Sequence, residues 1–506
     1  VDAVELSLLT GRLSAACEEM GTVLIRAAHS PNIKERRDAS TALFDAQGQM
    51  VMQAEHIPVH LGAMPAAVAA VRELIEALPR EAWRGAAGDG IDAAFILNDP
   101  YAGGTHLPDI TVISPVLAGE EIIGYAAARA HHADVGSPTP GSMPADSATL
   151  ADEGVVISPR VLDDATIEEL VAQMRAPQQR RADLRAQLAA CRTGARRLAE
   201  IGTDGLAEVL DYAERRTRAK LAEIPDGTYT AADVLELDGA EELVLVLSAT
   251  VAGDALTLDF SGSAAQYPGN LNCPRAVTES ACYFAVKVLT DPDIPASAGA
   301  YRPVEVIAPH GSLLNARAPA AVAAGNVETS SRVADLVLSA FGHALGQGTM
   351  NNLTLGDAST VYYETIGGGQ GASADADGPS AVHVAMSNTL NTPIEALELE
   401  YPLRMTRYEI RRGSGGAGAH RGGDGVLREI EALVPLTYSL ITERRRVQPP
   451  GAGGGGPGAT GANRLDGVAL GAKTTGEMQP GQRLCIETPG GGGYGPPGTS
   501  PTPESR

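Results

Sequence analysis

The stretch NDPYAGGTHLPDITVISPVLAGEEIIGYAAARAHHADVG, residues 98–136, decides how the chain is read. Ahead of it, Ala93 to Leu97 is a short apolar run of buried-strand character that breaks at Asn98-Asp99-Pro100, a turn signal. Ile110 to Leu117 and Ile122 to Ala130 are two further strand candidates, and the second ends in His131-His132-Ala133-Asp134. His106 and Asp109 sit in the glycine-rich loop before the first. Imidazole nitrogen and ionised carboxylate oxygen are ligands that Zn²⁺, Mn²⁺ and Fe²⁺ share, so these strand ends form a candidate divalent-metal cage. Adjacent residues of an extended segment face opposite ways. Only one of His131 and His132 is therefore expected to reach a given ion, leaving the other to hydrogen-bond beside it.

On the amino-terminal side, apolar residues at helical spacing predict one long helix over Val4 to Ala28. Thr41 to Phe44 and Met50 to Gln53 follow as strands joined by an Asp45-to-Gly48 turn, with Asp38, His56 and His60 as possible site residues. Pro65 to Leu78 is an amphipathic helix. On the carboxyl side, Val155 to Ile157 is expected as a short strand, Asp164 to Ile201 as helical, and Leu206 to Ile224 as a second helix. After the turn Pro225-Asp226-Gly227 the pattern alternates from Tyr229 to Ser263 as a β-meander. Helices are expected over Ala276 to Leu289 and Ser331 to Leu345, the second capped by Thr329 or Ser330. Gly413 to Gly425 separates strands Leu403 to Ile410 and Val426 to Leu433.

The fold class is accordingly α+β, a mixed multi-layer subunit. Residues 1–226 are an α/β part carrying the metal site, 227–400 a β-meander with helices, 401–498 a glycine-rich β part, and 499–506 a disordered tail. With 506 residues, 44% of them hydrophobic, core size is not limiting, and 58 glycines suggest a loop-rich enzyme. A net charge of −23 opposes a nucleic-acid or anionic-membrane partner. Five scattered cysteines without CxxC spacing fit reduced thiols in the cytoplasm. No apolar run reaches the roughly 20 residues of a spanning helix, and the first residues lack a signal-peptide profile.

Nucleotide motifs fail on inspection. Gly467 to Thr474 resembles a phosphate loop but lacks the glycine before Lys473, and no GxGxxG opens a helix after a strand. ATP is thus not expected to bind this chain. No GxSxG elbow occurs either. Taken singly, His29, His310, His343, His383 and His420 are read as satisfied structural residues. Glu328 and Arg332 either line a pocket or pair at i, i+4.

The stretches NIKERRDASTALFD, HIPVHLGAM, NDPYAGGTHLPDITVISPV, HHADVGSPTPGSM, DLRAQLAACRTGARRL, GNVETSSRV and TPGGGGYGPP resemble the B-type subunit of the hydantoinase/oxoprolinase family. The resemblance runs over nearly the whole chain, with a departure at Ser137, where many relatives carry glycine. It implies a separate hydantoinase A-type ATPase subunit that binds ATP and phosphorylates the substrate carbonyl, and hence a hetero-oligomer. It further implies a divalent metal (Zn, Mn or Fe) in the B-type subunit, held by Asp38, His106, Asp109 and His131, with Asp134, His132 and His60 in catalytic acid/base or supporting roles. The activity implied is ATP-dependent hydrolysis of a small cyclic amide: a hydantoin, 5-oxoproline or a related lactam. The alternative is the metal subunit of an ATP-dependent acetone/acetophenone-type ketone carboxylase, and a third reading is a scaffold with a structural metal. Chain length favours the hydrolase.

Overall fold

Six antiparallel strands from residues 39–161 make the sheet that carries the site. They are β1 (Ala39–Asp45), β2 (Met50–Glu55), β3 (Phe95–Leu97), β4 (Asp109–Ala118), β5 (Glu121–His131) and β6 (Arg160–Val161), in the order β2-β1-β5-β4-β3-β6. The computed structural model describes residues 2–55, 57–83, 93–237, 239 and 241–498, so His56 and the tail 499–506 lie outside the described residues. β1 is buried at every position because both faces of the sheet are covered. Leu43, Val51, Val112 and Ala128 pack against the helices Ala3–Ala27 and Pro177–Ile201 through Leu13, Met20, Leu184 and Leu198. Ala42, Phe44, Phe95 and Ile113 face the other way, onto Met64, Val68 and Val71 of the helix Ala63–Ala77. Period-two alternation along each strand gives both faces apolar side chains. The first helix starts at a capping box formed by Asp2 and Glu5.

Three local expectations change. The segment 164–201 is two helices, Asp164–Val171 and Pro177–Ile201. Pro177 lacks the donor needed inside a helix and instead opens the second one, after Ala176 at φ +51°. Val155 to Ile157 is not a strand. The Asn98 side chain takes the N–H of Ile157 at 2.6 Å, and the backbone pairing with β3 passes to Arg160 and Val161. The helix expected over Ser331 to Leu345 runs Ser330–Ala340, stops before Gly342 at φ +82°, and is preceded by a π-helical turn, Gly325–Thr329. Thr329 lies inside that turn, and its hydroxyl donates to Leu271 O at 2.6 Å instead of capping.

The meander is β7 (Gly227–Glu236), β8 (Glu242–Ala252) and β9 (Ala255–Asp259), antiparallel in sequence, with β10 (Val304–Ile307) added parallel to β9. The helices Arg275–Leu289 and Ser330–Ala340 share its core through Val277, Ala281, Val333 and Val337. The last part holds two sheets. β11 (Asn352–Gly356), β12 (Val361–Glu364), β15 (Leu436–Ile441) and β18 (Lys473–Met478) form one; β13 (Leu403–Arg411), β14 (Gly425–Ala432), β16 (Ala462–Leu465), β17 (Val468–Ala469) and β19 (Arg483–Glu487) form the other. Leu353, Leu355, Ile430, Leu440, Leu484 and Ile486 join them in one cluster. Layers of helices on largely antiparallel sheets make this a mixed α+β protein.

Gly325 opens the π turn against a backbone neighbour: a Cβ there would sit 1.8 Å from Asn272 O. Gly325→Ala is expected to cost about 1–3 kcal/mol through overpacking, seen as a lower urea midpoint at unchanged slope.

Candidate metal centre

Antiparallel register builds the site. β4 begins at Asp109 and β5 ends at His131, and the two residues are direct cross-strand partners. β1 flanks β5 on the other side, and Asp38, just ahead of it, accepts the His131 N–H on its carbonyl at 3.0 Å. Residues 38, 109 and 131 therefore meet at one end of three adjacent strands. His106 joins through the turn in which Asp109 N donates to His106 O at 3.1 Å, and His60 arrives on the single 3₁₀ turn Pro58–His60. The glycine-rich loop ahead of His106 is held close: Gly103 has φ +94°, and a Cβ there would be 2.3 Å from Ala67 N. Arg129, buried on the same strand face as His131, donates to Gly103 O at 2.8 Å and to Thr111 Oγ1 at 2.7 Å, tying that loop to the sheet.

His106 Nε2 and His131 Nδ1 lie 3.2 Å apart, and each is near Asp109, at 3.3 Å from Oδ2 and 3.2 Å from Oδ1 respectively. Two ligands about 2.1 Å from one ion and roughly 90–110° apart are separated by ~3.0–3.4 Å, so the donor set fits a divalent cation. His60 Nε2 is 3.4 Å from Asp109 Oδ2 while its Nδ1 is 2.9 Å from Ser40 Oγ, and Thr105 donates its hydroxyl to Asp109. His60, His106, Asp109 and His131 are all essentially solvent-free. Burial alone would raise the Asp109 carboxyl, but His106 beside it and hydrogen bonds from His106, His131 and His60 hold it well below the usual range. Burial pushes His60 and His131 down, which favours the neutral imidazole, the form that ligates metal. Burial raises Asp38, against the opposing pull of His131 and Arg36.

The cavity in front of these groups measures about 20 Å³, room for roughly one water. Asp38, Ile57, Val59, His60, His106, Asp109 and His131 line it, together with residues 326–327, 350, 363, 365 and 386–389. Tyr363 stacks on His131 with ring centroids 4.2 Å apart and planes at 16°. Its hydroxyl accepts from Asn352 Nδ2 at 2.7 Å. None of this second set is legible in the sequence except GNVETS, which contains Asn326; the others carry no motif and arrive by long-range packing. Glu328 and Arg332 do not pair with one another or line the cavity. Glu328 accepts from Met350 N at 3.2 Å, and Arg332 pairs with Asp233 at 3.0 Å and Glu443 at 3.3 Å.

Two of the expected acid/base residues sit elsewhere. The His132 ring faces opposite to His131, with Nε2 2.8 Å from Gln187 Oε1 of the helix Pro177–Ile201, and burial lowers its pKa to about 4. The Asp134 carboxylate accepts from Gly136 N at 2.9 Å, Gly141 N at 3.0 Å, Arg175 N at 3.1 Å and Arg175 Nη1 at 2.9 Å. Neither lines the cavity.

At converging strand ends of this multi-sheet α+β chain, His106, Asp109 and His131 form a buried group that could hold a divalent cation. The chain belongs to the hydantoinase B/oxoprolinase family, whose model matches residues 2–497. It is 38% identical to 5-oxoprolinase 1 of Arabidopsis thaliana over 98% of its own length but spans only 42% of that relative. It is 30% identical to a putative B-type D-/L-hydantoinase component of a Pseudomonas species, covering 98% of this chain and 90% of the relative. Its fold matches the ATP-dependent caprolactamase of Pseudomonas jessenii with a TM-score of 0.88 at 29% identity, covering 98% of this chain and 91% of that one. A nucleotide-free acetone carboxylase shares the fold alone, with a TM-score of 0.83 at 19% identity, over 98% of this chain and 76% of that one. Among the described residues no helix is long and apolar enough to cross a membrane.

Proposed function

We propose that this chain is the metal-bearing component of an ATP-dependent enzyme that opens a cyclic amide. The observation that carries the reading is the His106–Asp109–His131 cluster, whose three ligating atoms lie within 4.8 Å of one another in a buried cavity. Its likeness over nearly full length to a B-type hydantoinase component and to a caprolactamase supports an amide substrate. The longer 5-oxoprolinase relatives leave room for an ATPase part that this chain would meet as a separate A-type subunit.

Amide hydrolysis is slow because the carbonyl is resonance-stabilised and nitrogen leaves poorly. Phosphorylation of the carbonyl oxygen by the partner gives an electrophilic imidate-like carbon. A divalent cation (Zn, Mn or Fe) bound by the cluster supplies Lewis-acid polarisation and lowers the pKa of water toward neutrality. His106, Asp109 and His131 would hold the cation, and His60 orients Asp109 from its anchor on Ser40. Asp38, on the cavity wall, is the proton acceptor for the attacking water. His132, through Gln187, and Asp134, through Arg175, hold the strand ends and the following loop in place. Burial of the site shields the activated intermediate from bulk water.

The test is turnover by this chain together with its ATPase partner. ATP-dependent opening of a hydantoin or lactam, with one ADP per ring opened, is expected. ATP turnover that requires bicarbonate and a ketone would replace this reading with the carboxylase. Undiminished activity in His106→Ala/Asp109→Ala would remove the metal centre from the chemistry.

A further inference from the structure

Behind the cavity wall lies a carboxyl group that the proposed reaction does not use. Glu328 follows Val327 in the π turn Gly325–Thr329 and is fully buried. One of its oxygens accepts from Met350 N at 3.2 Å, and the other is buried without a hydrogen-bond partner. Val327 and Met350 both line the cavity, so Glu328 ties two wall residues together from behind. The turn has little freedom at either end. A Cβ on Gly325 would sit 1.8 Å from Asn272 O, and the Thr329 hydroxyl donates to Leu271 O at 2.6 Å. The cations near Glu328 are engaged elsewhere. Arg332 pairs with Asp233 at 3.0 Å and Glu443 at 3.3 Å, and Lys473 pairs with Glu443. Arg445 donates to Glu443 O at 2.7 Å, Asn351 Oδ1 at 2.9 Å and Asn463 Oδ1 at 2.8 Å. Among the described residues Glu328 forms no ion pair. A buried carboxyl beside a second carboxylate and without a cation is held as the neutral acid, because a bare charge there costs far more than an idle O–H. Burial first and Glu443 second push its pKa up to about 8, against the weaker pull of Thr349, Lys473 and Arg445.

We propose that Glu328 is a positioning residue: as the neutral acid it keeps Val327 and Met350 in place, and its ionisation loosens that wall and sets the alkaline limit of the site. The inference rests on the reading of His106, Asp109 and His131 as the metal centre of a cyclic-amide hydrolase. Once charged, the carboxylate is repelled by Glu443 and must draw in water. With both ends of the π turn held, the displacement falls on its middle, where Asn326 and Val327 stand against the cavity.

Glu328→Gln tests this, since it keeps the shape and the acceptor for Met350 N but cannot ionise. ATP-dependent ring opening by the full chain with its ATPase partner is measured for both proteins across neutral and alkaline pH. For an acid of pKa about 8 the neutral fraction falls about tenfold between pH 7 and pH 9. The ratio of kcat/KM for the wild type to that for Glu328→Gln is expected to fall by the same factor, and taking the ratio cancels the pH dependence of the partner. A second assay needs no substrate. The chain alone is loaded with zinc and mixed with excess EDTA, and zinc release from the wild type relative to Glu328→Gln should speed up about tenfold over the same range. Glu328→Met, which cannot ionise either, gives the same comparison if Glu328→Gln fails to fold. A ratio that stays flat with pH in either assay overturns the proposal. A complex that opens no amide, with the zinc-release ratio still rising, removes the cyclic-amide reading and leaves the role of Glu328 in the wall standing. A chain that takes up no zinc removes the metal centre and this inference with it.

Discussion

Asp109→Asn is expected to strip the chain of its metal, with content by elemental analysis falling from about one ion per chain to under about a tenth, a loss of at least ~100-fold in affinity. Asp109 is the one carboxylate whose two oxygens face both imidazoles, Oδ2 toward His106 at 3.3 Å and Oδ1 toward His131 at 3.2 Å. The asparagine keeps the shape but removes the negative charge between the two imidazoles, leaving Asp38 as the remaining lining carboxylate. Activity with the ATPase partner should fall in parallel. Asp134→Asn is the control: its carboxylate serves Arg175 and the backbone around Gly136 and Gly141, so it should lower thermal stability and keep the metal. Full metal occupancy in Asp109→Asn would show that the ion lies elsewhere.

Arg36→Met should produce the largest loss of stability, about 3–5 kcal/mol, because a fully buried guanidinium joins distant parts of the chain. It donates to Asn32 Oδ1 at 2.8 Å, Tyr363 O at 2.7 Å, Thr365 Oγ1 at 2.8 Å and Thr389 Oγ1 at 3.0 Å, and lies 5.2 Å from the centre of the Tyr363 ring. Asn32 in turn donates to His131 O at 2.7 Å. The methionine fills part of the volume and leaves four buried acceptors without their shared donor. The urea midpoint should drop accordingly, and turnover should fall beyond what stability explains, since Tyr363 would no longer be held flat against His131. A change under about 1 kcal/mol would mean that the two walls hold together without this clamp.

The site divides by how far apart in the chain its parts lie. Asp109 and His131 are legible together because a hairpin with alternating apolar residues has few registers that bury its hydrophobic faces, and the observed one pairs them directly. The same two-residue period separates His131 from His132 on sequence grounds alone. Local chemistry also announces the first helix and the meander. It misjudges the segment at Val155, where a single side chain, Asn98, replaces a strand partner, and the end of the helix near Gly342.

Sequence alone thus determined the family, the mixed α+β class and the inner half of the centre, since these rest on local periodicity and on contiguous motifs. Tertiary structure alone decided the outer half. Asn326, Tyr363, Met386 and Thr389 reach the His106–Asp109–His131 cluster from about two hundred to two hundred and eighty residues away. Nothing in their neighbours' spacing encodes that meeting, because it depends on how separate cores pack and on one buried arginine that bridges them.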